Sequence, residues 1–381
     1  MRSRITEQFF AFRPPVSSGR CPRRRRAGAS ERWSRAPVLS SATLYARTAC
    51  MTFPERVTDY YRRLADGPDG EAIRRQFEPS EAETVVSRWE LGDPLGEDRY
   101  AVTSRLVHRY RDRVLLLATD RCFVHCRHCL RRHFTGSEDR HITAEELEEA
   151  ASYIDVHPEV QEVIISGGDA LTITTQRLGE LIGRLRAARP DLILRLATRA
   201  PAVAPARVDE ELSSLLGAGQ PLWLVSQFNH PAELTSAATA ALDRLAGRGV
   251  PLVNQTVLLA GINDDVAVLE RLFRMLIARR VKPYYLFQGD LARGTSHFRV
   301  PLGRGVEIVT ELRRRLSGLA MPTYAVDLPG GGGKVPLTES YFETEEADAY
   351  VFRSIEGELY RYPREEGPGR ARSGSDEGVA P

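Results

Sequence analysis

Three cysteines, Cys122, Cys126 and Cys129, lie within eight residues of one another. In the run Cys122-Phe-Val-His-Cys126-Arg-His-Cys129, soft thiolates can wrap three corners of a four-iron, four-sulfur (4Fe-4S) cluster and leave its fourth iron open. An open iron can chelate the amino and carboxylate groups of S-adenosylmethionine and reduce its sulfonium. A structural zinc ion would need a fourth ligand, from His125, His128 or His133. A redox Cys-x-x-Cys pair would leave Cys122 without a task. A second group is Ser166, Gly167, Gly168 and Asp169. Glycine lets backbone approach a ligand closely, and backbone oxygens with the Asp169 carboxylate can receive an ammonium. Alone this run is a tight turn. Beside the cysteines it reads as the seat of the methionyl amino group, and His128 is assigned to the same S-adenosylmethionine site.

A third candidate is Lys334, which follows Gly330–Gly333. A phosphate loop needs Gly six residues before the lysine and Ser or Thr after it; those positions hold Leu328 and Val335. Gly303 and Gly305 are not followed by Gly at position 308, so no dinucleotide fingerprint is present. A lysine on a glycine loop can form a Schiff base with an aldehyde cofactor such as pyridoxal phosphate. A mobile surface loop is the other reading of the same residues.

These groups need elements to hold them. Apolar runs recur near Val114–Ala118, Val163–Ile165, Ile193–Ala197, Leu222–Val225, Leu252–Leu259 and Tyr284–Phe287. Helix-like stretches alternate with them: Thr143–Val156, Thr174–Arg189, Arg207–Leu216, Thr235–Ala246 and Asp265–Arg279. Short apolar strands alternating with amphipathic helices make parallel βα units. The expected α/β fold is a partial (β/α) barrel of about six such units, with an open doubly wound sheet as the alternative. In either, chemistry sits at the C-terminal ends of strands, where the cysteine and Ser-Gly-Gly-Asp motifs fall. The expected division is a helical N-terminal region over 51–110, with helices from Pro54 to Arg63 and over Glu81–Arg88. The barrel follows over 111–320. The lysine loop and a C-terminal β-hairpin occupy 321–365, and a disordered Gly-, Pro- and Ser-rich tail 366–381.

Composition narrows the function classes. The net charge is +2, and 42% of residues are hydrophobic, ordinary for a soluble globular chain. Residues 1–50 hold eleven arginines and two glutamates, and the remainder carries more acids than bases. A nucleic-acid-binding body is therefore not indicated. The Arg-rich segment reads as a disordered extension or a mis-assigned start upstream of Met51, with a transit peptide or a basic arm as alternatives. Five cysteines, three of them clustered, suit a metal site in a reducing, cytoplasmic compartment rather than a secreted disulfide scaffold. No run of about 18 apolar residues suggests a membrane span.

Over about residues 108–360 the chain resembles the lysine 2,3-aminomutase family of radical S-adenosylmethionine enzymes. The likeness rests on His108-Arg-Tyr-Arg-Asp-Arg-Val, the cysteine motif with Leu130-Arg-Arg-His-Phe134, and Ser166-Gly-Gly-Asp-Ala-Leu171. It continues through Phe228-Asn-His-Pro231, Asn254-Gln-Thr-Val-Leu258, Pro283-Tyr-Tyr285, Gln288-Gly-Asp290 and His297-Phe-Arg299. It closes on Asp327-Leu-Pro-Gly-Gly-Gly-Gly-Lys-Val-Pro336. The resemblance implies a partial (β/α) barrel and a pyridoxal phosphate Schiff base on Lys334, with Arg113 and Gln255 contacting that cofactor. Arg131 is implied to pair with the substrate carboxylate, and Asp290 and Asp327 to grip the side-chain ammonium of lysine. The implied reaction is an isomerisation: a 5′-deoxyadenosyl radical initiates transfer of the 2-amino group of free L-lysine to C3, giving β-lysine. Arginine, or a protein-bound lysine of a translation elongation factor, is the alternative substrate. An electron donor for the cluster is a necessary partner, a homo-oligomer is left open, and neither nucleic acid nor membrane is expected. Relatives with a structural zinc bind it partly through C-terminal cysteines; this chain has none after Cys129, so no such zinc is expected. Phe287 and Leu130 stand where tyrosine and threonine would be usual.

Overall fold

The computed structural model describes residues 53–364. The extension expected over 1–50 and the tail expected over 366–381 lie outside the described residues. The first helix, α1 (Asp59–Leu64), starts later than the Pro54 expected from sequence. The Thr58 hydroxyl caps it by accepting from the Tyr61 N–H at 3.1 Å. Residues 54–56 are committed elsewhere: the Pro54 carbonyl accepts from His125 Nδ1 and the Arg56 carbonyl from the His125 N–H. A short α2 (Gly70–Arg74) follows. The helix expected over Glu81–Arg88 is only a 3-10 turn, Glu81–Thr84, closed by a Ser80–Glu83 capping box. Beyond it the chain runs through turns and bends to a second 3-10 turn, Glu97–Tyr100.

The core is a nine-stranded sheet in sequential order. Strand β1 (Leu106–Tyr110) runs antiparallel to β2 (Arg113–Thr119). The chain then alternates helix and strand: α3 (Ala144–Asp155), β3 (Glu162–Gly167), α4 (Thr175–Ala188) and β4 (Ile193–Thr198). Next come α5 (Ala200–Val203), α6 (Glu210–Ala218), β5 (Leu222–Ser226), α7 (Ser236–Gly247), β6 (Leu252–Leu258), α8 (Val266–Ile277) and β7 (Val281–Gln288). The last crossover is α9 (Leu302–Arg315), which leads to β8 (Thr323–Leu328). Strands β2 to β8 are all parallel, and β9 (Gly333–Pro336) finishes the far edge antiparallel to β8. The sheet curls but its edges do not meet, so it is a partial barrel.

Side-chain oxygens of Thr143, Thr174, Asp209, Thr235 and Asp265 cap the longer helices, which is why each begins where it does. Apolar faces such as Leu178, Leu181, Ile182 and Leu185 of α4 pack on buried strand residues. The sequence reading did not name α9. Its inner face is Gly305, Ile308, Val309 and Leu312. A Cβ on Gly305 would stand 1.9 Å from the Tyr324 hydroxyl of β8, so glycine is what lets helix and strand approach. The expected C-terminal hairpin is a separate three-stranded antiparallel sheet: β10 (Phe342–Glu345), β11 (Ala349–Arg353) and β12 (Leu359–Pro363). The additional strand, Phe-Glu-Thr-Glu, is too polar to announce itself. Among the described residues no helix is long and apolar enough to cross a membrane.

Candidate active site

Inside the curl lies a cavity of about 670 Å³. The structure brings every candidate of the sequence reading to its wall: Cys122, Cys126, Cys129, His128, Arg131, Ser166, Gly167, Gly168, Asp169, Arg113, Gln255, Asp290, Asp327 and Lys334.

The cysteines sit on the loop leaving β2, and its ends are tied. Buried Asp120 accepts from the backbone N–H groups of Glu138, Asp139 and Arg140 at 2.6–3.0 Å. Within the loop the Cys129 N–H donates to the Cys126 carbonyl at 2.9 Å. Arg127, between Cys126 and Cys129, is almost wholly buried and forks onto Glu83 at 2.5–2.7 Å. Burial and neighbouring thiols push the Cys122 thiol well up, and burial with Cys126 raises that of Cys129. Thiols in this state become thiolates only when a cation takes the proton's place, and the donor set fits soft, multiply charged iron. Among the described residues no His, Cys, Asp or Glu trio gathers closely enough to hold a single metal ion. Thiolates bound to separate irons need no such convergence.

Ser166, Gly167 and Gly168 end β3 directly beside that loop. The N–H groups of Gly168 and Asp169 donate to the Thr119 and Arg121 carbonyls, both at 2.7 Å. A Cβ on Gly167 would stand 2.1 Å from the Thr119 oxygen, and one on Gly168 2.1 Å from that of Arg121. The glycines are thus required by the root of the cysteine loop, which the sequence reading had assigned to ligand approach. Asp169 also differs from expectation. Its carboxylate already accepts from Thr198 Oγ1 at 2.6 Å and from the Leu171 and Arg199 N–H groups at 3.0 and 2.8 Å. Burial raises its carboxyl pKa. It therefore anchors the end of β4. His128 is half-buried with Nε2 near Gln227 and Asn229, and desolvation holds its pKa well below the usual range.

Lys334 lies at the opposite edge. It is on β9, not in a mobile loop: Gly330, Gly331 and Gly333 take φ of 65°, 91° and 97°, turning the chain sharply back onto β8. Antiparallel pairing sets Lys334 directly across from Asp327, and Nζ donates to the Asp327 carboxylate at 2.6 Å. The amine stands 3.9 Å from the Phe287 ring centre, and Tyr285 stacks on Phe287 at 5.0 Å. Burial lowers the pKa of Lys334, the direction an amine nucleophile requires. Asp290 is pushed up to about 7, first by burial and then by Asp327. Two carboxylates that repel one another in this way make a site for a cation.

Sequence reading missed two residues here. Glu97, from a 3-10 turn at Glu97–Tyr100, takes the Nε–Nη2 edge of Arg131 with three contacts of 2.6–3.1 Å. Arg131 lines the cavity, and its Nη1 makes no hydrogen bond among the described residues. Arg109 of β1 lines the same cavity, and its Nη2 is buried without a partner among the described residues. That orphan donor, the Arg113 guanidinium, Gln255 and the flat Tyr285–Phe287 wall fit a phosphorylated aromatic aldehyde attached to Lys334. No local pattern marks Glu97, and Arg109 falls in the His108–Val114 run of the resemblance without a role of its own there.

An open parallel curl with three cysteines after its first parallel strand is the frame of a radical S-adenosylmethionine enzyme, and the Radical SAM superfamily model matches residues 116–272. A second model, described as Lysine-2,3-aminomutase, matches residues 309–377. The L-lysine 2,3-aminomutase of Fusobacterium nucleatum is 45% identical over 311 residues, which is 81% of this chain and 73% of its own. A Treponema pallidum relative is 44% identical over 361 residues, 91% of this chain and the whole of its own. The glutamate 2,3-aminomutase of Clostridioides difficile is 36% identical over 318 residues, 83% of this chain and 75% of its own. This chain belongs to the lysine 2,3-aminomutase family.

Proposed function

We propose that this chain converts free L-lysine to β-lysine, with a cluster on Cys122, Cys126 and Cys129, S-adenosylmethionine beside it and pyridoxal phosphate on Lys334. The observation that carries the substrate choice is the pair Asp290 and Asp327 at the lysine edge. A side-chain ammonium relieves the repulsion that raises Asp290, whereas a glutamate side chain would add a third negative charge to it. Arg131 offers its free edge to the substrate carboxylate. When bound, the reduced cluster and S-adenosylmethionine supply the hydrogen-abstracting radical, and pyridoxal phosphate supplies the π-system across which nitrogen shifts between neighbouring carbons.

The protein's own residues do the rest. Asp290, Asp327 and Arg131 hold the two ends of the amino acid, which fixes the carbon to be attacked. The amine of Lys334, with its lowered pKa, would hold the aldehyde of pyridoxal phosphate. Asp327, its partner in the absence of substrate, is then free for the substrate's ammonium. Residues 83–97 tie the cysteine loop to the segment after β7, which would help exclude water. Glu83 binds Arg127 and Arg132, Glu90 accepts from the Gly294 and Thr295 N–H groups, and Glu97 binds Arg131. We place the protein in a reducing compartment with a one-electron donor.

The test is an anaerobic assay of reconstituted protein with reductant, S-adenosylmethionine, pyridoxal phosphate and L-lysine. Derivatised chromatography separates β-lysine from its isomer. β-Lysine is the expected product. Release of 5′-deoxyadenosine without β-lysine would reject lysine, and arginine, which also suits two carboxylates, would be tried next.

A further inference from the structure

Arg199, the residue after β4, is a fully buried cation with no task in the reaction as described. Its Nη1 donates to the Cys126 sulfur at 2.7 Å. Its Nη2 lies 2.8 Å from the Tyr61 hydroxyl, 2.5 Å from Gln76 Oε1 and 2.6 Å from Glu233 Oε1. The Arg199 N–H donates to Asp169, so the Ser-Gly-Gly-Asp turn fixes its backbone. Glu233 is itself wholly buried, and its other oxygen accepts from the Asn229 and His230 N–H groups at 2.6 and 3.0 Å. Three partners on Nη2 and the backbone tie to Asp169 hold the guanidinium so that Nη1 meets the sulfur, while its Nε has no partner among the described residues. The geometry is that of a fixed charge, since neither end can swing away.

We infer that Arg199 is a positioning residue for electrons: its cationic N–H on the Cys126 sulfur sets the reduction potential of the cluster, and Glu233 sets how much of that charge the sulfur feels. The inference rests on the cluster reading of the three cysteines. The couple takes one electron from an external reductant into the cluster, with no bond made and no proton moved, so the cluster gains one negative charge. Hydrogen bonds to sulfur and nearby net charge are the protein's main means of tuning that couple, and a low-dielectric surrounding strengthens both. A cation against the sulfur favours the reduced state; an anion behind the cation weakens that preference. Arg199 therefore pulls the potential up, and Glu233 pulls it part of the way back.

The opposite signs make the test. Full-length protein is reconstituted with iron and sulfide and titrated anaerobically with dithionite and mediators, without S-adenosylmethionine. The reduced cluster is followed by electron paramagnetic resonance. Arg199→Gln is expected to lower the reduced-to-oxidised ratio about tenfold at a given poise, about 59 mV toward negative potential for a one-electron couple. Glu233→Gln is expected to raise that ratio several-fold. Both variants titrating with wild type, or both moving the same way, overturns the inference, because a merely structural role has no reason to change sign. Should Arg199→Gln hold no cluster, Glu233→Gln decides alone: a shift to positive potential supports the inference and no shift overturns it. Wild-type protein that assembles no cluster would remove the cluster reading and the inference together.

Discussion

The two edges of the curled sheet are built alike and behave differently. Each ends in an antiparallel strand, β1 beside β2 and β9 beside β8. Along β2–β5 the buried carboxylates are answered, while His128 Nδ1 and the Nε atoms of Arg195 and Arg199 have no partner among the described residues. Asp120, Asp169 and Glu233 are saturated by N–H and hydroxyl donors, and glycines seat one turn against the next. At the β7–β9 edge charge is left over: Asp290 makes no side-chain hydrogen bond among the described residues, its carboxyl is raised to about 7, and Lys334 is lowered. Satisfied networks hold a geometry still, and unsatisfied ones hold free energy for a ligand to release. On the proposed function, the first edge would keep a cofactor fixed and the second would exchange one ammonium for another.

The largest expected effect separates the edges. Lys334→Ala should cut β-lysine formation by on the order of a thousandfold or more while 5′-deoxyadenosine is still released on reduction. Loss of both products would show that the edges are not independent. Next, Asp290→Asn or Asp327→Asn should raise the KM for lysine by about two to three decades, since unpairing a buried charge costs roughly 3–5 kcal/mol. An unchanged KM in both variants would remove these carboxylates from the substrate site. A smaller effect follows from protonation. With its carboxyl near 7, Asp290 loses its charge as pH falls, so lysine should bind about tenfold more weakly at pH 6 than at pH 8. Calorimetric titration should find that slope gone in Asp290→Asn. The smallest effect tests the saturated edge. Gly168→Ala drives a Cβ toward the Arg121 carbonyl and should destabilise by roughly 1–3 kcal/mol. It should lower iron content per chain and the melting temperature together, whereas a wild-type iron content would mean that the turn does not seat the cysteine loop.

What could be read from sequence divides along the same line. The cysteine motif is legible because its chemistry is packed into eight consecutive residues, and the strands because their apolar runs are continuous. Glu83, Glu90 and Glu97 are not, since their partners Arg127, Gly294 and Arg131 lie 44, 204 and 34 residues away. Only the curl brings them together. The glycines of α9 hid a helix, because glycine disfavours one; at Gly305 the contact with Tyr324 requires it, while Gly303 has open space. The resemblance pointed to Arg131 but not to the carboxylate holding it; a pairwise contact between lone charged residues leaves no trace in local composition.

The hairpin that carries Lys334 works as a ruler. Along β9 alternate residues point to opposite faces: Lys334 faces the cavity, whereas Val335 is substantially exposed. A single residue added to or lost from Gly330–Gly332 would tend to slip the pairing with β8 by one and turn the amine to the outer surface. What selection must guard in this turn is therefore its length as much as its composition, and tolerated insertions should come in twos.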